Sequence, residues 1–187
     1  MLVWEPGDEL APVVACIERG GILAIPTEST YGLGADPCSA RGCKAILEVK
    51  GRAASKALPI VVPDLETAFA LGVSRHTPGL AATAAHWPAA LSIVADLERP
   101  LAAAGGGDTI ALRIPDHPGL LGLLGDLGRA LTATSANRSG EPPVVRVEEL
   151  AELLGGADAC IIGGARLPGG APSTLVRWAA EGPVLLR

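Results

Sequence analysis

Residues 20–34, GGILAIPTESTYGLG, decide how the chain is read. Gly21 to Ile25 has the length and β-branched content of a buried strand, and Pro26, which has no N–H to give a sheet ladder, marks its end. Thr27, Glu28, Ser29, Thr30 and Tyr31 follow, just past a strand's carboxyl end, where open α/β sheets hold their ligands. Gly32 and Gly34 let the backbone turn tightly or come close to a ligand. A polar turn with ordinary caps accounts for the same residues, so the rest of the chain must separate the two readings.

The 187 residues are enough for one domain with a full core, and residues 1–187 are read as a single domain. Apolar residues make up 49% of the chain but aromatics only 3%, so the interior is Leu, Val, Ile and Ala. The 24 glycines and 16 prolines are scattered between apolar runs without a period, as in the turns of a compact fold. No apolar run approaches the ~20 residues of a membrane span, and the start MLVWEPGDEL is acidic, unlike a secretion signal. A cytoplasmic protein without a membrane segment is expected.

Cys16, Cys38, Cys43 and Cys160 form no Cys-x-x-Cys pair, and His76, His86 and His117 show no zinc-type spacing, so free thiols and no protein-held metal are expected. A net charge of −5 argues against a general nucleic-acid binder. All three lysines, Lys44, Lys50 and Lys56, nevertheless lie with Arg41 and Arg52 inside residues 41–56 against Glu48 alone, a local charge of +4. A basic segment kept by an acidic protein suits an anion.

Residues 8–19 have helical spacing behind an acidic first turn, and 39–49 read as a second helix with Ser39 as N-cap, weakened by Gly42. Further helices are expected at 64–71, 77–86, 118–127 and 146–154, and strands at 58–62, 91–95, 109–114, 130–134, 159–162, 173–178 and 184–186. Gly105, Gly106 and Gly107 lack the following Gly-Lys-Ser/Thr of a phosphate loop and read as a connection. Strands alternating with helices point to an α/β sheet covered by helices. Polar clusters recur where apolar runs end: 27–31, Arg113 before Pro115–Asp116, and 135–137. Parallel strands would gather these clusters on one rim, around one pocket; independent capping turns produce the same pattern.

Lys50-Gly51-Arg52, followed by Lys56, places cations on a loop after a helix. Such a loop suits a polyphosphate, with Lys as point charge, Arg as planar fork and Gly51 allowing close approach; a solvated basic loop is the alternative. Ser135 and Asn137, alternate residues leaving a strand, offer hydroxyl and amide to a phosphate, ribose or base, or else form a turn ending at Ser139-Gly140. Arg113 stands between Leu112 and Ile114. A guanidinium inside an apolar run needs an acidic partner, from the protein or bound to it.

The set PTESTYGLG, VKGR, ALRIPDHP, TATSANRSGEPP and PSTLV, in this order from about Gly20 to the C-terminus, resembles the YrdC/Sua5 family of threonylcarbamoyl-AMP synthases. Its characteristic Lys-x-Arg and Ser-x-Asn are present as Lys50/Arg52 and Ser135/Asn137. The resemblance implies a twisted, open mixed α/β sheet with helices packed on it and a large concave electropositive cavity. It also implies an enzyme that makes threonylcarbamoyl-adenylate and pyrophosphate from L-threonine, bicarbonate and ATP. Separate tRNA threonylcarbamoyl transferase proteins then use that product to modify adenosine 37 of tRNA. By this likeness Lys50, Arg52 and Lys56 hold the triphosphate, with Lys50 and Arg52 catalytic. Ser135, Asn137 and Arg187 contact the nucleotide, and Thr27, Tyr31, Arg113 and Ser173 surround threonine.

No protein metal is implied, only Mg²⁺ carried by ATP, and Glu28 is left between orienting the amine, acting as a base and a structural role. The chain departs from the family pattern at Ala53 and Ala57, where prolines are usual, and at His86–Ala90, which lacks the glycine-proline after Trp-Pro. Ending at Arg187, it is expected to be the short single-domain form. The competing readings are an RNA-binding module, with weak RNA binding on a concave basic surface, and a carbamoyl-transfer relative using carbamoyl phosphate. Scarce aromatics and the negative net charge oppose the first.

Overall fold

The computed structural model describes residues 2–164 and 166–187. The chain runs β1 (Leu2–Trp4), α1 (Ala11–Glu18), β2 (Ile22–Pro26), β3 (Tyr31–Gly34), α2 (Ala40–Lys50), β4 (Ile60–Val61), α3 (Leu65–Ala70), α4 (Leu80–Ala84), β5 (Leu91–Asp96), β6 (Thr109–Arg113), α5 (Pro118–Leu127), β7 (Leu131–Thr132), β8 (Thr134–Ser135), α6 (Val147–Leu154), β9 (Ala159–Ile162), β10 (Thr174–Ala179) and β11 (Gly182–Leu185). A 3-10 turn at Ala102–Ala104 precedes the three glycines, which lie in the β5–β6 connection. The expected helices and strands are present with shifted ends. Strands β1 and β3 were not foreseen, and the first helix starts at Ala11, leaving Asp8 and Glu9, the acidic residues of the expected first turn, outside it.

The fold is mixed α/β, and its hydrogen bonds divide the strands between two sheets, ordered β1-β9-β2-β3-β8 and β11-β10-β5-β6-β4-β7. Strand β2 occupies the centre of the first. Its Ile22 and Ala24 enter a core shared with Leu33, Ile46, Ile93 and Leu112, while Leu23 and Ile25 enter another with Val13, Ile17, Leu120 and Leu124. A strand covered on both faces has no polar face to show, so 21–25 reads as an unbroken apolar run.

Helix α2 carries the basic segment toward this core. The Ser39 side chain caps it by accepting from the Gly42 amide at 3.0 Å. Gly42, weak as a helix former, has a packing reason: a Cβ there would lie 3.0 Å from the Ala35 Cβ. The helix stops at Gly51 in the left-handed conformation (φ 61°), where Arg52 N–H bonds back to the Leu47 carbonyl at 2.9 Å.

The pairing refines one expectation and corrects another. Residues 27–30 do follow the carboxyl end of β2, which runs parallel to β9, but the chain then turns back into antiparallel β3, with Pro26 opposite Tyr31. The run 130–134 is not one strand. Its β7 pairs with β4 in the second sheet, and β8 pairs with β3 in the first. The chain crosses between sheets at Ala133, and Thr132 stitches the crossing: its hydroxyl accepts from Ala35 N–H at 2.9 Å and donates to Leu33 O at 3.4 Å. The polar clusters therefore meet because two sheets converge, not because parallel strands share a rim.

Candidate active site

A cavity of about 340 Å³ opens where the sheets converge. The β2–β3 turn, the end of α2, the end of β6, the segment after β8, the approach to β10 and the C-terminal residue all line it. Of the residues singled out in the sequence, Thr27, Tyr31, Lys50, Arg52, Arg113, Ser135, Asn137, Ser173 and Arg187 are brought together here. Lys56 is not: it is exposed and stands outside the lining. The lining cations Lys50, Arg52, Arg113 and Arg187 face a single lining carboxylate, Glu28.

Lys50 belongs to the last turn of α2, 3% exposed, and not to a solvated loop. Its ammonium donates to Ser135 O at 2.5 Å, Asn137 O at 3.1 Å and Asn137 Oδ1 at 2.7 Å. A buried ammonium costs several kcal/mol in lost hydration, and charge-assisted hydrogen bonds of about 1.5–3 kcal/mol each offset that cost. No carboxylate pairs with Lys50 among the described residues, so its charge is solvated by dipoles but not neutralised. Burial, followed by the neighbouring Arg52, pushes its pKa down to about 8.

Ser135 and Asn137 do point together, as alternate residues should. The Ser135 hydroxyl donates to Asn137 Oδ1 at 2.7 Å, and the Asn137 amide donates to Glu141 O at 2.6 Å. Lys50, Ser135 and Asn137 thus form one hydrogen-bonded corner.

At another corner, Glu28 Oε1 accepts from Arg113 Nη1 and from the Asp116 amide, the latter at 2.9 Å. This is the protein carboxylate that the apolar surroundings of Arg113 demanded. Burial raises the Glu28 carboxyl, but the hydrogen bond and charge of Arg113 outweigh it and hold the group below the ordinary glutamate range. Arg113 lines the cavity and none of its side-chain nitrogens is both buried and unpartnered, so the donors that Glu28 does not use keep some accessibility.

The other expected contacts are engaged within the protein. Thr27 donates its hydroxyl to Thr30 O at 2.6 Å, locking the β2–β3 turn. Tyr31 is fully buried and its hydroxyl turns to the Gly163 carbonyl at 3.4 Å. The adjacent Gly164 has no room for a side chain, since a Cβ would fall 1.8 Å from the Tyr31 Oη. Arg187 donates from Nε to Ser173 O and from Nη2 to Ser173 Oγ, both at 3.2 Å. Ser173 Oγ also lies 3.1 Å from the hydroxyl of Ser92, a residue not singled out from the sequence. The signal was a lone hydroxyl inside the apolar strand LSIVA.

All four cysteines are free thiols. Among the described residues, no cluster of three His, Cys, Asp or Glu side chains could hold a metal, and no helix is long and apolar enough to cross a membrane.

The Sua5/YciO/YrdC family model, described as "Telomere recombination", matches residues 15–187. A threonylcarbamoyl-AMP synthase of Bacillus subtilis (strain 168) is 33% identical over 183 residues, covering 96% of this chain. The chain spans about half of that relative's length, 53%. A threonylcarbamoyl-AMP synthase of Thiobacillus denitrificans is 34% identical over 165 residues, 87% of each chain. Among solved structures, P. abyssi Sua5 complexed with L-threonine superposes with a TM-score of 0.84 at 32% identity, covering all of this chain and 56% of that one. A family match across nearly the whole chain, with relatives this similar, means that the chain belongs to the Sua5/YciO/YrdC family.

Proposed function

We propose that the chain is an L-threonylcarbamoyladenylate synthase, a nucleotidyltransferase that joins L-threonine, bicarbonate and ATP and releases pyrophosphate. The observation that carries this reading is a single cavity with an un-neutralised buried lysine at one corner and an arginine with spare donors at another. Relatives named threonylcarbamoyl-AMP synthase, and the likeness to a Sua5 that binds L-threonine, support it.

The amine of threonine attacks the carbon of bicarbonate, forming a C–N bond and losing water to give a carbamate; with carbon dioxide, formed from bicarbonate by prior loss of water, the same attack releases a proton instead. A carbamate oxygen then attacks the α-phosphorus, and the bond to the β-phosphate bridging oxygen breaks as pyrophosphate leaves. Both partners are anions, so catalysis consists largely of holding them together and stabilising charge on the leaving group. Lys50 and Arg52 would face the triphosphate, Ser135 and Asn137 the nucleoside side, and Arg113 the threonine carboxylate, with Thr27, Tyr31 and Ser173 shaping its pocket. Lys56 would reach the phosphates only by movement of its loop, and Arg187 would close the mouth beside Ser173. Mg²⁺ would enter on the nucleotide, held by its phosphate oxygens. The product is a mixed anhydride, which a separate transferase system acting on tRNA would consume.

Pyrophosphate release from ATP and Mg²⁺, measured with threonine and bicarbonate omitted in turn, tests the reading. Release that requires both is expected; release that requires neither, or none under any condition, overturns it.

A further inference from the structure

Glu28 and Arg113 are 85 residues apart and belong to different sheets: Glu28 lies in the β2–β3 turn of the first and Arg113 ends β6 of the second. Both backbones are held. Thr27 N–H and its hydroxyl both donate to Thr30 O, at 3.1 and 2.6 Å, and Arg113 O accepts from Val62 N–H at 3.1 Å. What remains free is the long arginine side chain, whose rotamers would have to be ordered each time a ligand arrived. Glu28 Oε1 takes one guanidinium nitrogen and the Asp116 amide together, which fastens the guanidinium to the loop that follows β6.

We infer that Glu28 is a positioning residue: it orders the Arg113 guanidinium before substrate binds, leaving its remaining donors set for the carboxylate of the amino-acid substrate. This rests on the synthase reading. It also decides among the roles open to Glu28 in the sequence. A base acting on the amine would have to use Oε2, since Oε1 is taken by Arg113 and the Asp116 amide, and a carboxylate held below the ordinary glutamate range is a poor proton acceptor near neutral pH. A carboxylate already beside the guanidinium also reduces its net charge, so recognition of a second carboxylate rests on the geometry of the remaining N–H groups.

Glu28→Ala, Glu28→Gln, Arg113→Ala and the double alanine variant, each assayed for pyrophosphate release at varied threonine and varied ATP, test this. Glu28→Ala is expected to raise the KM for threonine about tenfold with the KM for ATP unmoved, the cost of ordering the arginine on binding. Glu28→Gln, which keeps the acceptor oxygen, should restore most of that loss. Adding Glu28→Ala to Arg113→Ala should do no further harm, because the two residues act as one. An unmoved threonine KM in Glu28→Ala overturns the inference. So does a Glu28→Gln variant whose kcat collapses at unchanged threonine KM, which is the behaviour of a lost base.

If the wild-type protein releases no pyrophosphate, the synthase reading fails by itself, and hydrogen exchange of the Asp116 amide then judges the clamp. Faster exchange in Glu28→Ala, restored in Glu28→Gln, supports it; equal exchange in all three overturns it.

Discussion

Lys50 and Arg113 line the same cavity and are buried to nearly the same degree, 3% and 8% exposed, yet they are held by opposite means. Neutral oxygens of Ser135 and Asn137 surround Lys50, and no carboxylate pairs with it among the described residues. Arg113 has a carboxylate partner in Glu28 and donors to spare. The lysine corner keeps its charge but has committed its three protons, so it acts on a ligand mainly through its field and through the segment it orders. The arginine corner has lost much of its net charge but keeps directional donors. Field suits a polyphosphate, which presents charge in many orientations; a planar fork suits one carboxylate in one orientation.

The largest effect should come from Lys50→Met, which keeps the apolar stem and removes the charge together with the three donors. Its kcat/KM for ATP is expected to fall about 100-fold or more, roughly 3 kcal/mol of transition-state stabilisation. Near-normal ATP turnover in this variant would erase the distinction between the corners.

A pH profile sharpens the contrast. Lys50 is pushed down to about 8, first by burial and then by Arg52. The protonated ammonium is the form that attracts phosphate, and its fraction falls as pH rises through that value. In the free enzyme, kcat/KM for ATP should therefore decline above about pH 8 by up to about tenfold per pH unit. The residual activity of Lys50→Met should lack this limb; a limb of the same midpoint there would assign it to another group.

Arg187 should matter least of the lining cations. It is exposed, and its guanidinium donates to the Ser173 carbonyl and hydroxyl. Arg187→Ala is expected to raise a substrate KM only about threefold, the size of an ordinary hydrogen-bond contribution. A loss matching that of Lys50→Met would move the centre of the phosphate site toward Ser173.

Local chemistry in the chain determined a good deal. The Ser39 cap sits where its residue type predicts, and the 118–127 helix keeps both its ends. The apolar run 21–25 did mark the buried central strand, and all but one of the residues chosen for the site line the cavity. Caps and periodicities are interactions within a few residues, so a sequence displays them directly. The tertiary structure alone decided the rest: that residues 27–30 form a hairpin turn, that 130–134 divides between two sheets, that Lys50 is buried and that Lys56 is left outside. Lys50 meets Ser135 and Glu28 meets Arg113 across 85 residues in each case. Nothing near either residue in the chain encodes such a partner; it is chosen when two sheets pack together and the desolvated charges must find the oxygens and nitrogens that packing brings within reach.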